Sequence, residues 1–305
     1  MRPSGGDILK SAQLAGVMPP VPTAFDDNGE IAPGKLQDNL AQLAEHPLSG
    51  FVIMGSNGEY VYLDEAEKVT LFKAARRAIP THKLFIAGTG AEATRTALRL
   101  TRSAADAGAD AAIIITPAYY KPAMTASALI QHFTTLADAS PIPIILYNMP
   151  AYAGIDMSTE TILQLAAHPN IIGLKESAAN LVKISEITKT IVEKGLDFAV
   201  LAGSASFLQP ALMMGASGGI LAAANVAPDL CIAIYNACQT AQAEEARHLQ
   251  HSILSLNAAI TSKYGVAGLK AVMDRLGLYG GPVRPPLLPL TPTEQEILAK
   301  MPLPD

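Results

Sequence analysis

Short apolar runs recur along the chain. Each gives way to a longer segment in which apolar and polar positions alternate with helical spacing. The runs are GVMPPV (16–21), GFVIMG (50–55), KLFIAG (83–88), DAAIIIT (110–116), IPIILYN (142–148), NIIGLK (170–175), FAVLAG (198–203) and SGGILA (217–222). Between them, LDEAEKVTLFKAARRA (63–78) and EATRTALRLTRSAADAG (92–108) repeat apolar positions at about a 3.6-residue period. The second opens on acidic Glu92 and ends at Gly108, as helix termini prefer. Runs that stay apolar on both faces belong in a parallel sheet covered by helices. Eight of them, alternating with helices, predict an α/β fold of the (β/α)8 TIM barrel type, with an open doubly wound sheet as the competing architecture.

The pattern divides the chain into a barrel domain over 1–225 and a C-terminal helical extension over 226–305. The extension is predicted to hold a long helix (229–258), a second (263–276), the Gly/Pro-rich stretch GGPVRPPLLPL and a short final helix. In such a barrel the chemistry gathers at the C-terminal ends of the strands and in the loops that follow. Those positions carry Thr23 after the first strand, Gly55-Ser56-Asn57-Gly58-Glu59 after the second and Gly88-Thr89-Gly90 after the third. Thr116, Tyr119 and Tyr120 follow the fourth, and Tyr147-Asn148 end the fifth. Lys175-Glu176-Ser177 end the sixth, Gly203 the seventh, and Ile220 lies on the eighth.

Composition narrows the function classes. Half of the 305 residues are apolar and only 16% are charged, against roughly 25% in a typical domain. A large core follows, together with apolar surface suited to other copies of the chain. A net charge of −5 leaves no electrostatic footprint for nucleic acid. Two cysteines, Cys231 and Cys238, read as small core residues on one helix and make no disulfide framework. The opening MRPSGGDILKSAQ has neither a signal core nor an Arg-rich amphipathic pattern, and no apolar run is long enough for a membrane span. A soluble, cytoplasmic protein without membrane or nucleic-acid partners is the expectation.

Lys175 is the sharpest chemical feature. Lysine is rarely buried unless paired or put to use, and burial disfavours the ammonium form of an amine. A neutral amine attacks a ketone to form an imine that acts as an electron sink. The structural alternative is a lysine whose stem is covered while its head reaches water. Tyr147 ends the preceding strand and offers a proton-relay phenol, or a core aromatic with its hydroxyl tied to a neighbour. GSNGE (55–59) combines glycines that let backbone N–H groups approach a ligand with the side-chain donors Ser56 and Asn57. It suits a small carboxylate and lacks the P-loop pattern. GTGAEA (88–93) matches a dinucleotide fingerprint only in part, because the acid expected at the end of the next strand is missing. His46, His82 and His168 precede strands, His132 lies within a helix, and His248 and His251 share a face in the extension. No His/carboxylate cluster gathers at the productive rim, so no metal is expected.

GSNGE after the second strand, YYKP after the fourth, YNMPAYAG at the fifth and GLKES at the sixth resemble the pyruvate-dependent class I aldolases. That superfamily includes dihydrodipicolinate synthase and N-acetylneuraminate lyase, and the resemblance covers nearly the whole chain. It implies Lys175 as the Schiff-base lysine, Tyr147 as the relay and Gly55, Ser56 and Asn57 as the carboxylate loop. It also implies that Tyr119 or Tyr120 reaches a neighbouring subunit's site within a homotetramer. The covalent lysine imine would replace any cofactor. Two positions depart from dihydrodipicolinate synthases. Ser56-Asn57 stand for Thr-Thr, and Ala151-Tyr152 follow Pro150 where an Arg would grip the second substrate. Stretches resembling HPNIIGLKES, LAGSASFL, LNAAITSKYGVAGLKAVMD and YGGPVRPPL are shared with the 4-hydroxy-2-oxoglutarate aldolases, though the last two have no catalytic reason to match. The resemblance therefore implies a lyase cleaving a 4-hydroxy-2-oxo acid to pyruvate and an aldehyde, 4-hydroxy-2-oxoglutarate to pyruvate and glyoxylate first among them. Ser177, on the same strand face as Lys175, is expected to contact the variable end of the substrate, and Gly203 and Ile220 are further substrate-binding candidates. Sugar-acid aldolases or dehydratases, dihydrodipicolinate synthase and a non-catalytic 2-oxo-acid binding protein on the same fold are the competing readings.

Overall fold

The computed structural model describes residues 9–303. The opening residues 1–8, part of the stretch searched for a targeting signal, and residues 304–305 lie outside the described part. Nine strand segments lie in one parallel sheet: β1 (Gly16–Met18), β2 (Pro20–Val21), β3 (Gly50–Ile53), β4 (Leu84–Gly88), β5 (Ala111–Ile115), β6 (Ile144–Asn148), β7 (Ile171–Glu176), β8 (Ala199–Ala202) and β9 (Gly218–Ile220). β1 and β2 are halves of one barrel strand, interrupted because Pro19 and Pro20 lack the N–H that a ladder needs. β1 pairs with β9 and β2 with β3. Leu221 N donates to Met18 O at 3.0 Å on one side, and Val52 N donates to Pro19 O at 2.9 Å on the other. The ring thus closes as the eight-stranded barrel that the apolar runs predict.

Two apolar layers explain why the strand sequences show no alternation. Met18, Val52, Ile86, Ile113, Ile145, Tyr147, Ile172, Leu201 and Ile220 fill the barrel interior, with Leu14 packed among them. Phe51, Ile53, Phe85, Ile114, Leu146, Leu174 and Val200 face outward into the layer of helices. A strand buried on both faces needs apolar residues at every position. Each buried Ile or Leu removed from water contributes roughly 1.5–3 kcal/mol.

The helices are α1 (Pro33–Leu43), α2 (Glu65–Ala78), α3 (Thr94–Asp106), α4 (Ala126–Ala139), α5 (Pro150–Ala153), α6 (Thr159–Ala166), α7 (Leu181–Lys194), α8 (Leu208–Met213), α9 (Pro228–Gln239), α10 (Ala243–Ala258), α11 (Gly265–Arg275) and α12 (Pro292–Lys300). Several start on a side-chain cap, among them Asp64 to Glu67 N, Thr125 to Ala128 N, Ser158 to Thr161 N and Asn180 to Lys183 N. Such caps contribute about 1 kcal/mol each. Two expectations shift. The helix predicted over 92–108 starts at Thr94, because Glu92 is spent on a neighbouring loop. The single helix predicted over 229–258 is two, α9 and α10. The chain turns at Ala241, whose φ of 56° is left-handed, and Gln242 N caps Ala237 O at 2.9 Å.

Candidate active site

Tyr147 and Lys175 are register partners on β6 and β7. Adjacent residues at one register level share a sheet face, here the barrel interior. A β-bulge decides this. Ile144 pairs with Ile171 but Ile145 pairs with Gly173, leaving Ile172 as an extra residue. Ile172 faces inward, and in a regular strand the residue three positions on would face the helices. The bulge reverses that parity and turns Lys175 into the barrel.

Gly55, Ser56, Tyr147 and Lys175 line one small cavity, with Val52, Met54, Tyr60, Gly88, Gly90, Ile113 and Ile115 completing its wall. The Lys175 ammonium nitrogen lies 4.3 Å from the centre of the Tyr147 ring. The Tyr147 hydroxyl is 3.2 Å from Ser56 Oγ. Lys175 is 4% exposed. Lys83, Lys183 and Lys270 are buried to a similar degree, and each has oxygens on its ammonium. Lys175 has no hydrogen-bond or ion-pair oxygen among the described residues.

The GSNGE loop holds an unusual backbone. Met54 and Glu59, with φ of 66° and 53°, bracket the Ser56–Gly58 turn in the left-handed region. Such residues cost roughly 1–3 kcal/mol each and cluster at functional sites. Gly88 of GTGAEA serves this turn. A Cβ on Gly88 would fall 2.0 Å from Met54 O, so the fingerprint-like motif permits close packing. Asn57 Nδ2 is buried without a partner, as is Ser177 Oγ. Ser177 lies directly over Gly203, where a Cβ would meet its Oγ at 1.9 Å. Ile220 is sealed within the barrel interior.

Tyr119 and Tyr120 stand apart from this group. They are 77% and 71% exposed, stacked edge-to-face with ring centres 5.0 Å apart, and neither lines the cavity. Glu92 shapes their loop by accepting from Ala118 N at 3.0 Å and Tyr119 N at 2.8 Å.

The sequence reading missed two features. Tyr60, directly after GSNGE, is part of the cavity wall; burial, then the nearby Tyr147 and Glu92, push its phenol up to about 12, so it holds its proton. The second is the polar layer behind the strand ends. Asn148 Nδ2 donates to Glu176 Oε2 at 2.9 Å and to Asp156 Oδ1 at 2.7 Å. The Lys183 ammonium lies 2.5 Å from Asp156 and 3.3 Å from Glu176. This network sits one residue beyond each of Tyr147 and Lys175 and ties the two strand ends together. Strand parity was the available signal, since Asn148 and Glu176 must face away from the cavity.

Two larger concavities, of about 300 and 250 Å³, lie elsewhere. Beside the first, Asp274 accepts from Gly280 N and Arg275 donates to Leu298 O; beside the second, His46 meets Asp229. Among the described residues no three His, Cys, Asp or Glu side chains gather as a metal site, and no helix is long and apolar enough to cross a membrane.

The sequence signature of the dihydrodipicolinate synthetase family matches residues 13–301. A probable mitochondrial 4-hydroxy-2-oxoglutarate aldolase from Emericella nidulans is 35% identical over 291 residues, spanning 94% of this chain and 92% of its own. A 4-hydroxy-tetrahydrodipicolinate synthase from Methanoculleus marisnigri is 36% identical over 288 residues, spanning 94% and 97%. A prophage protein of E. coli K12 belonging to the dihydrodipicolinic acid synthase family, solved in complex with pyruvate, superposes with a TM-score of 0.87 at 26% identity, covering 93% of this chain and 96% of its own.

Proposed function

Because this chain belongs to the dihydrodipicolinate synthetase family, whose members are lyases of the class I aldolase type acting through a lysine Schiff base, we propose that it cleaves 4-hydroxy-2-oxoglutarate to pyruvate and glyoxylate with Lys175 as the nucleophile. One observation carries the assignment of the lysine. Its amine is buried beside a phenol that is itself paired with a serine hydroxyl, and no oxygen among the described residues binds it.

The substrate's C1 carboxylate rests on the Ser56-Asn57 loop, where the Asn57 amide is a buried donor without a protein acceptor. Lys175 adds to the C2 ketone, and water leaves as the imine forms. The protonated imine draws electrons from the C3–C4 bond. Tyr147, hydrogen-bonded to Ser56 and left as a phenolate once it has given its proton to the departing water, accepts the proton of the C4 hydroxyl as that bond breaks, and the aldehyde departs. The enamine takes a proton at C3, and water at C2 releases pyruvate and restores the amine. Ser177, whose Oγ is buried without a partner, contacts the C4–C5 end. The exposed Tyr119-Tyr120 pair serves the site of a neighbouring copy in a homo-oligomer, in keeping with its distance from its own chain's cavity.

Tyr152 favours glyoxylate over aspartate semialdehyde as the aldehyde partner. It stands where the synthases carry an arginine, so the charge-assisted grip on the second substrate is missing. Two measurements test the proposal. Borohydride reduction in the presence of pyruvate leaves a pyruvyl adduct on Lys175; an unmodified lysine overturns the mechanism. In a substrate panel, 4-hydroxy-2-oxoglutarate is cleaved faster than pyruvate condenses with aspartate semialdehyde; the reverse order overturns the substrate assignment.

A further inference from the structure

The stretches LNAAITSKYGVAGLKAVMD and YGGPVRPPL belong to the C-terminal extension and hold none of the residues assigned to the chemistry. Two of their members nevertheless end on the GSNGE loop. The Lys270 ammonium, on α11, lies 2.6 Å from Glu59 Oε1, and Arg284 N donates to Glu59 Oε2 at 2.8 Å. Glu59 and Lys270 are 2% and 1% exposed.

The surroundings of this pair are built to hold it still. Lys270 also donates to Pro282 O at 2.7 Å. The Arg284 guanidinium grips both oxygens of Glu67 on α2, together with Gly29 O and Tyr62 O. Gly280 packs so tightly on Lys270 that a Cβ would fall 2.0 Å from its carbonyl oxygen. On the loop's other side, Thr23 Oγ1 donates to Gly58 O at 2.6 Å. The turn bearing Ser56 and Asn57 is therefore pinned at both of the residues that follow it, and Glu59 is fixed in its left-handed conformation by its own side chain.

We propose that Glu59, Lys270 and the Arg284 backbone form a positioning clamp through which the C-terminal extension sets the geometry of the Ser56-Asn57 loop toward the substrate's carboxylate. The inference rests on the Lys175 reading above and deepens it. A buried ion pair is a weak source of net stability compared with apolar packing, which leaves geometry as its contribution. None of the three groups touches the cavity; they act through the loop.

The test is borohydride trapping at Lys175 over a range of pyruvate concentrations, run in parallel with hydroxyacetone, a ketone without a carboxylate. The variants are E59Q, K270M and the double variant. The double variant removes both buried charges and folds even where a single variant leaves one charge unpaired. We expect its half-saturating pyruvate concentration to rise about 10-fold or more while hydroxyacetone trapping is unchanged. Circular dichroism and thermal midpoints check the fold. Unchanged pyruvate dependence, or an equal rise for both ketones, overturns the clamp. A return of the double variant to wild-type behaviour also overturns it, since that outcome reflects an unpaired charge alone. A wild-type chain that forms no pyruvate adduct sinks the lyase reading and the clamp with it; a labelled wild type with insensitive variants removes only the clamp.

Discussion

Two lysines of this protein sit at nearly the same distance from an aromatic ring. Lys175 lies 4.3 Å from the centre of Tyr147, and Lys270 lies 4.6 Å from that of Phe25. Both are buried. Lys270 is fully answered, by the Glu59 carboxylate and the Pro282 carbonyl. Burial pushes its pKa down and Glu59 pushes it back toward the charged form. Lys175 has the ring and no oxygen among the described residues. Lys83, Lys183 and Lys270 all have oxygen partners while Lys175 has none among the described residues, the contrast expected if Lys175 is the reactive amine proposed above. Position separates them further: Lys175 faces a cavity, whereas Lys270 is sealed between α11 and the tail.

The largest effect that would break this contrast comes from K175M. Activity and borohydride trapping should fall on the order of 10⁴-fold or more, as expected for loss of a covalent nucleophile. Its urea midpoint should stay near wild type or rise, because the change replaces a buried amine that has no oxygen partner among the described residues with an apolar side chain of similar size. A marked loss of stability would place Lys175 with the structural lysines. Next in size is K183M, which strands Glu176 and Asp156. Breaking a buried pair by removing one partner costs roughly 3–5 kcal/mol, so equilibrium unfolding should shift far more than in K175M.

His132 sharpens the contrast from a site without a cavity. Its Nδ1 meets Thr94 Oγ1 at 2.8 Å and its Nε2 is buried without a partner. Burial lowers its pKa to about 4, against a smaller opposing pull from Glu92. With the folded pKa below the unfolded value, its stabilising contribution is complete above about pH 6.5 and is lost as pH falls toward 4. The loss amounts to about 3 kcal/mol at most. H132Q should remove that part of the acid-induced decline when urea midpoints at pH 7 and pH 4 are compared. An unchanged decline would mean that the imidazole does not titrate with folding.

Much of the site was legible from local pattern. Lys175 and Tyr147 close apolar runs on neighbouring strands, and GSNGE follows a third, so barrel topology alone brings them to one rim. Tyr60 escaped notice because its phenol reads as an ordinary aromatic next to a Gly-rich loop; only its position in the cavity wall sets it apart. Glu59 looked like the last letter of a motif, and its partners lie in the extension, far away in sequence. The Tyr119-Tyr120 pair was read as serving a neighbouring subunit, and the single chain places it outside its own cavity.

By itself, the sequence determined the α/β class, the eight strand windows and the strand end that carries each candidate group. Burial on both faces and the 3.6-residue helical period are local properties, written into consecutive residues. Only the tertiary structure decided which way Lys175 points, since the extra residue at Ile172 exists only as a register difference between β6 and β7. It alone closed the ring across Pro19-Pro20, joined Glu59 to Lys270, and left Lys175 without an oxygen partner among the described residues. Pairing is a relation between distant segments, and no periodicity within one segment encodes its partner.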